Sequence, residues 1–308
     1  MLKLVYGIII MQAMPLQIEK CNLKPKFQMK KKNLLAVLGT ALLVSFTLTS
    51  CQNDSESDEV QSIDPSILSK LNSLGFDTSD TFEDTFNGKT GYVVERDIFL
   101  TKEDIANLST TKNLDGHDIN EKHYSTNNLV SAPRVVNVYM DVEFNSTMQA
   151  AFDDALNRYN SLGLDLTFQR ATSEGADIDI LAEKLKRAPG GFVILGRSAG
   201  FPDANGDPAT PIVLNSDIYN PRRGGIPADA ATVIAHEIGH AIGFRHTDYF
   251  DRSFSCGQGG DEGDAGVGAV YIPGTPAGPE NGSWMLACSN GTDRPFTSGD
   301  VTALQTLY

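Results

Sequence analysis

Residues 236–246, reading HEIGHAIGFRH, constrain this chain more than any other stretch, because they set three imidazoles and one carboxylate at a spacing that suits a single metal ion. A helix over residues 228–242 would put His236 and His240 one turn apart on one face, so that both rings can address the same ion. Gly243 follows three residues after His240. A residue that tolerates positive φ there ends the helix and turns the chain back, bringing His246 in as a third ligand. Three neutral nitrogens leave the fourth position of a tetrahedral zinc open to water, as in catalytic rather than structural sites. Glu237, next to the first ligand, is then placed to serve as the general base. The plainer reading is a chance HExxH on an amphipathic helix, with histidines that only fill core or surface positions. The five fixed positions of the longer pattern weigh against it. The remaining histidines, His117 and His123, lie far upstream.

The N-terminus reads as an export signal. Lys30, Lys31 and Lys32 precede an apolar stretch over residues 34–48, which is followed by Thr49, Ser50 and Cys51. A basic segment, an apolar run too short for a stable span and a cysteine behind small residues resemble a bacterial lipoprotein signal. Cys51 is then the acylated lipid anchor; an ordinary signal peptide or a single-pass anchor is the alternative. Met29 makes a natural start, so residues 1–28 read as an upstream misassigned start and residues 29–50 as the signal peptide. Residues 51–62 form a polar, acidic tether. Acidic residues directly behind the cysteine resemble a surface-export signal, which places the protein at the cell envelope, in the outer membrane and surface-exposed.

Beyond residue 50 the chain carries 18 basic and 38 acidic residues. That balance argues against nucleic acid or anionic membrane surfaces as partners, leaving the lipid anchor as the membrane contact, and suits an exported monomer that binds calcium. Two acidic loops, residues 203–207 and 261–264, offer oxygen ligands for calcium, although such Gly/Asp clusters are usually solvated turns. Cys256 and Cys288 remain as an even pair in an exported chain and read as a disulfide; two free thiols, or thiol ligation of zinc, are the alternatives.

Residues 63–130 hold few long apolar runs, including 67–74 and a strand-like 91–100, and are too small for a large core. Composition shifts at residues 131–133. Strands are expected over 135–140, 164–170, 176–181, 192–195 and 211–215, with a helix over 148–161 whose apolar residues recur at helical spacing. The order gives an α/β (α+β) fold: a mixed twisted sheet with the metal helix packed on it, and a small C-terminal subdomain.

The pattern HExxHxxGxxH with a downstream methionine resembles the metzincin clan. The wording HEIGHAIGFRHTDYF, the run AVYIPGTP at residues 269–276, and Ser283-Trp284-Met285 resemble its bacterial HEIGH metallopeptidase family, peptidase family M57, over residues 131–308. The resemblance implies a zinc-dependent endopeptidase acting on polypeptides, with His236, His240 and His246 as zinc ligands, Glu237 as base, and Met285 in the turn beneath the metal. It also implies that residues 211–215 are the edge strand that pairs with an extended substrate. Residues 286–288 are Leu, Ala and Cys, so no tyrosine beyond the turn reaches the metal, and Thr247 matches none of the usual subfamily markers.

Residues 63–130 are expected to be a propeptide or N-terminal region. Residues 52–130 contain no cysteine, which excludes a thiolate latch. Residues 93–98, VVERDI, instead resemble the aspartate-switch stretch of astacin-like propeptides, with Asp97 as the latency switch and Arg96 where a glycine is usual. A surface adhesin or binding lipoprotein that holds zinc without turnover is the competing reading, and a zinc hydrolase acting on another bond a third. Glu237 favours the enzyme, because a binding module has no need of a base beside the metal.

Overall fold

The computed structural model describes residues 63–108, 123–222, 224–263, 266–277 and 279–308. The lipoprotein signal, Cys51, the acidic tether, His117 and Asp264 lie outside them.

Helix α1 (Pro65–Leu74) begins where the Asp64 carboxylate accepts the Ser66 N–H and ends at Gly75, φ 98°. Strands β1 (Phe82–Phe86) and β2 (Lys89–Val94) form a hairpin. Asn87 and Gly88 turn it with φ of 46° and 72°, the positive pair that matches the twist of two adjoining strands. Strand β3 (Ile98–Thr101) runs antiparallel to β2 and leads into α2 (Lys102–Asn107), which starts with a Thr101–Asp104 capping box. The single strand expected over 91–100 is therefore two strands. The chain reverses between them at Glu95 and Arg96, with φ of 55° and 79°, a conformation that nothing in their side chains announces.

Strand β4 (Tyr124–Ser125) is followed by β5 (Arg134–Met140), whose Val136, Val138 and Met140 alternate inward. Helix α3 (Ser146–Asn160) is capped by Asn145, whose side chain accepts the Thr147 and Met148 N–H groups. Then come β6 (Leu166–Arg170), β7 (Ile178–Glu183), β8 (Gly196–Ser198), β9 (Ile212–Asn215), α4 (Ser216–Tyr219), α5 (Ala230–Ala241), α6 (Ser253–Cys256), β10 (Val270–Tyr271) and α7 (Ser298–Leu307). No helix among the described residues is long and apolar enough to cross a membrane.

Eight strands form one mixed sheet in the order β1-β2-β3-β8-β9-β7-β5-β6, with β8 antiparallel to β9 and β3 parallel to β8. The fold is mixed α/β. Helix α3 packs on β6 and α5, and α5 on β8 and β9. All twelve residues of α5 are buried, so the metal motif sits inside the main core. Two further expectations do not hold. Residues 192–195 are not a strand; they follow a tight turn at Pro189–Gly191 and meet β9 only through the Asn215 bonds to the Ile194 and Leu195 carbonyls, the strand itself starting at Gly196. Strand β9 is not an edge, because β7 and β8 flank it, and β8 pairs in turn with β3.

Strands β1–β3 continue the same sheet. One face of them packs Tyr92, Val94, Ile98 and Leu100 on Leu71 and Leu74. The other packs Phe86, Val93 and Phe99 on Leu185, Ile194 and Val213. Arg197 of β8 donates to Asp84 of β1 at 2.9 Å while lying over the Phe86 ring.

Candidate metal centre

Helix α5 places His236 and His240 on one face with ring centroids 4.7 Å apart. Its end is a Schellman motif: the Phe244 N–H donates to the Gly239 carbonyl at 2.8 Å and the Gly243 N–H to the His240 carbonyl at 3.0 Å. Gly243 takes φ 109°, and an added Cβ would lie 2.9 Å from Leu129 and 3.0 Å from the Asn128 carbonyl. Glycine is required on both counts. The reversal brings His246 back, and the Nε2 atoms of His236 and His246 each lie 3.1 Å from Nε2 of His240.

The far nitrogens decide the protonation. Nδ1 of His236 lies 2.8 Å from the Trp284 carbonyl, and Nδ1 of His240 lies 2.9 Å from the Phe244 carbonyl. Carbonyls only accept, so both Nδ1 atoms carry the proton. Nδ1 of His246 lies 2.7 Å from Glu262 Oε1 and donates in the same way. With Nδ1 occupied, the Nε2 atoms of His236 and His240 present lone pairs to the point that His246 Nε2 also faces, an arrangement that a shared cation or a proton on His246 stabilises. Burial, then the neighbouring rings, push His236 well below the ordinary histidine range and His240 down to about 4. Burial also disfavours charge on His246, but Glu262 and Asp97 on either side hold its pKa well above the usual value. Those two carboxylates favour positive charge at this spot, which a bound cation supplies in place of a proton. The donor set fits zinc.

Glu237 is buried, and its Oε2 has no hydrogen-bond partner. Burial first, and Asp97 second, push its pKa well above the carboxylate range. Gly196 makes room for it: a Cβ there would sit 2.6 Å from Glu237 Oε1.

The floor of the site is built from the chain after residue 282. Trp284, fully buried, donates through Nε1 to the Tyr159 hydroxyl at 3.2 Å and packs on Phe244 and Phe296. Met285 accepts the Thr247 N–H at its carbonyl, 2.9 Å, and an alanine Cβ at Gly239 would meet its sulfur at 2.5 Å. Asp300 holds this turn by accepting from Ser283 Oγ at 2.6 Å and the Trp284 N–H at 3.2 Å, and His123 lies 2.8 Å from it. Cys256 and Cys288 are joined in a disulfide, which ties α6 to the chain just beyond Met285.

Asp97 enters from the turn between β2 and β3. Its Oδ2 lies 2.9, 3.9 and 4.0 Å from Nε2 of His246, His240 and His236, so it joins the three rings as a fourth potential ligand. Burial opposes its ionisation, but His246 and then the other two rings hold the carboxyl well below the usual range. The Asp97 carbonyl accepts the Ser198 N–H at 3.0 Å, and Arg96 is held by Asp80 at 2.5 Å and stacked on Phe192. Arg96 adopts the left-handed backbone that a glycine at this point would adopt freely.

Residues singled out in the sequence thus meet here: His236, Glu237, His240, His246, Met285, Asp97 and the Cys256–Cys288 pair. The carboxylates of the two acidic loops do not gather among the described residues. Asp203 closes its own turn on the Asn205 and Asp207 N–H groups, and Glu262 turns inward to His246. Glu262, Gly196 and the Trp284 carbonyl were not foreseen as parts of the site. Glu262 follows His246 by 16 residues in a glycine-rich loop, and no spacing rule singles it out.

No curated protein matches the chain. Among solved structures it is similar to one described as the structure of myroilysin, at 12% identity and a TM-score of 0.39, over 60% of this chain and 98% of that one. The family model of the dual-action HEIGH metallo-peptidases, peptidase family M57, matches residues 92–308, from β2 through the metal centre to the last residue. The chain belongs to that family of metallopeptidases.

Proposed function

We propose that this protein is a zinc-dependent endopeptidase, anchored at the cell envelope through acylated Cys51 and held latent by Asp97. The convergence of three Nε2 atoms whose Nδ1 protons are committed elsewhere is the observation that carries the reading. Zinc held by His236, His240 and His246 would polarise a peptide carbonyl and acidify water. Glu237, with Oε2 free and its affinity for protons raised by burial, takes the proton from the attacking water and returns it to the leaving amine. The backbone of β8 offers the hydrogen-bonding row on which an extended polypeptide lies.

In the form described, β3 occupies that row and Asp97 faces the metal position, which supports a latent state. An intramolecular ligand acts at an effective concentration in the millimolar range, so its removal has a measurable effect. The zinc-loaded full chain carrying Asp97→Ala is expected to cleave a denatured protein about tenfold or more faster than the unaltered chain, and a chelator is expected to abolish both activities. Equal rates would remove Asp97 from the latency mechanism. Bound zinc without cleavage of any of several proteins by the Asp97→Ala chain would instead favour a binding lipoprotein.

A further inference from the structure

A cavity of about 330 Å³ opens beside His236 and Glu237, between the N-terminal half of α5, residues 192–196 and residues 286–289. Val193, Leu195, Val233 and Leu286 give it an apolar wall, Arg96 and Asp97 also line it, and Arg294 reaches it from the chain before α7. Arg294 is 7% exposed. The other deeply buried arginines are all paired: Arg197 with Asp84, Arg245 with Glu262 and Glu95, and Arg252 with Asp77. The Arg294 guanidinium has no ion pair and no hydrogen bond among the described residues, and its Nε is buried without a partner. Its position is nonetheless fixed, because its N–H donates to Thr232 Oγ1 at 2.7 Å and its carbonyl accepts from Arg158.

Carboxylates in the neighbourhood do not take up those donors. Asp248 accepts from Ser255 and the Ala287 N–H, Asp229 from Tyr219 and Ser289, and Asp300 from Ser283, Trp284 and Thr297. A nearly buried guanidinium with no partner, lining this cavity, is built to receive a carboxylate from outside the fold, whereas Arg96, which also lines it, is already held by Asp80.

We infer that this cavity is the subsite for the substrate residue on the amine side of the scissile bond, and that Arg294 makes it select an aspartate or glutamate side chain. The inference rests on the endopeptidase reading for its register: Glu237, which lines the cavity, is the group that serves the leaving amine. Arg294 is a specificity residue and takes no part in proton transfer.

Binding, not turnover, tests it. The probes are three succinyl-type peptide hydroxamates whose side chain next to the chelating group is that of Glu, Gln or Leu. The protein is the zinc-loaded full chain carrying Asp97→Ala and Glu237→Gln, and calorimetry gives the dissociation constants. A charge-assisted pair predicts that the Glu compound binds about tenfold or more tighter than the Gln compound. Arg294→Gln is expected to abolish that preference and Arg294→Lys to keep part of it. Equal affinity for the Glu and Gln compounds in the chain that retains Arg294 overturns the inference, and this comparison needs no folded Arg294 variant. A retained Glu preference together with absence of cleavage by the chain that keeps Glu237 would sink the endopeptidase reading alone.

Discussion

Glu237→Gln is expected to lower kcat/KM for a peptide substrate by about a thousandfold, within the range general acid–base groups contribute, while zinc stoichiometry stays near one. The substitution keeps the volume that Gly196 leaves open and removes only the ability to take up and return a proton. The three Nδ1 partners of the ligand histidines are untouched, so metal affinity has no reason to fall. Glu237 Oε2 is buried without a partner, and replacing an unpaired buried carboxyl should leave the unfolding midpoint unchanged or raised. The measurement is activity and bound zinc on the same preparation, with Asp97→Ala present to expose the site. Activity within tenfold of the parent would exclude Glu237 as the base.

The largest stability effect is expected at Trp284. Its side chain is fully buried between Phe244 and Phe296, with the indole N–H on Tyr159, whose hydroxyl in turn donates to the Ala235 carbonyl in α5. Trp284→Ala should cost about 3–5 kcal/mol in urea unfolding of the metal-free protein. The loss has a second component, because the Trp284 carbonyl fixes the His236 ring. If the turn shifts when the indole is removed, zinc affinity should fall by about 10–100-fold, as when an outer-shell partner of a metal ligand is lost. Trp284→Phe should restore most of the stability. A Trp284→Ala protein within 1 kcal/mol of the parent, as a rough bound set by ordinary surface substitutions, would show that the turn is not held by this residue.

The metal site was legible in the sequence where geometry is local. Two histidines four apart on a helix, and a glycine that ends it, are consequences of α-helical periodicity and of positive φ, and both hold for residues 236–246. Strands β5, β6, β7 and β9 and helix α3 were legible for the same reason, since each carries its own alternation or helical spacing. Strand β8 was not. Gly-Arg-Ser has no apolar alternation, and its Arg197 is buried only because Asp84, 113 residues earlier, pairs with it. The ring contacts of the Trp284 carbonyl and of Glu262 were hidden, although Trp284 belongs to the quoted motif, because they come from separate loops that only the finished fold brings to α5. Asp97 was legible through its motif alone, while the left-handed turn of Glu95 and Arg96 that delivers it is a property of the surrounding sheet.

The pairing of Ile98 with Ser198 has a consequence beyond catalysis. An exposed strand border is a template for a neighbouring copy of the protein, and exposed borders of this kind drive aggregation. Strands β1–β3 cover that border with a hairpin from the same chain, and Lys89, Lys102 and Glu103 on that hairpin and its following helix are exposed to solvent. With β8 paired to β3, the outer border of the sheet on that side moves from β8 to β1.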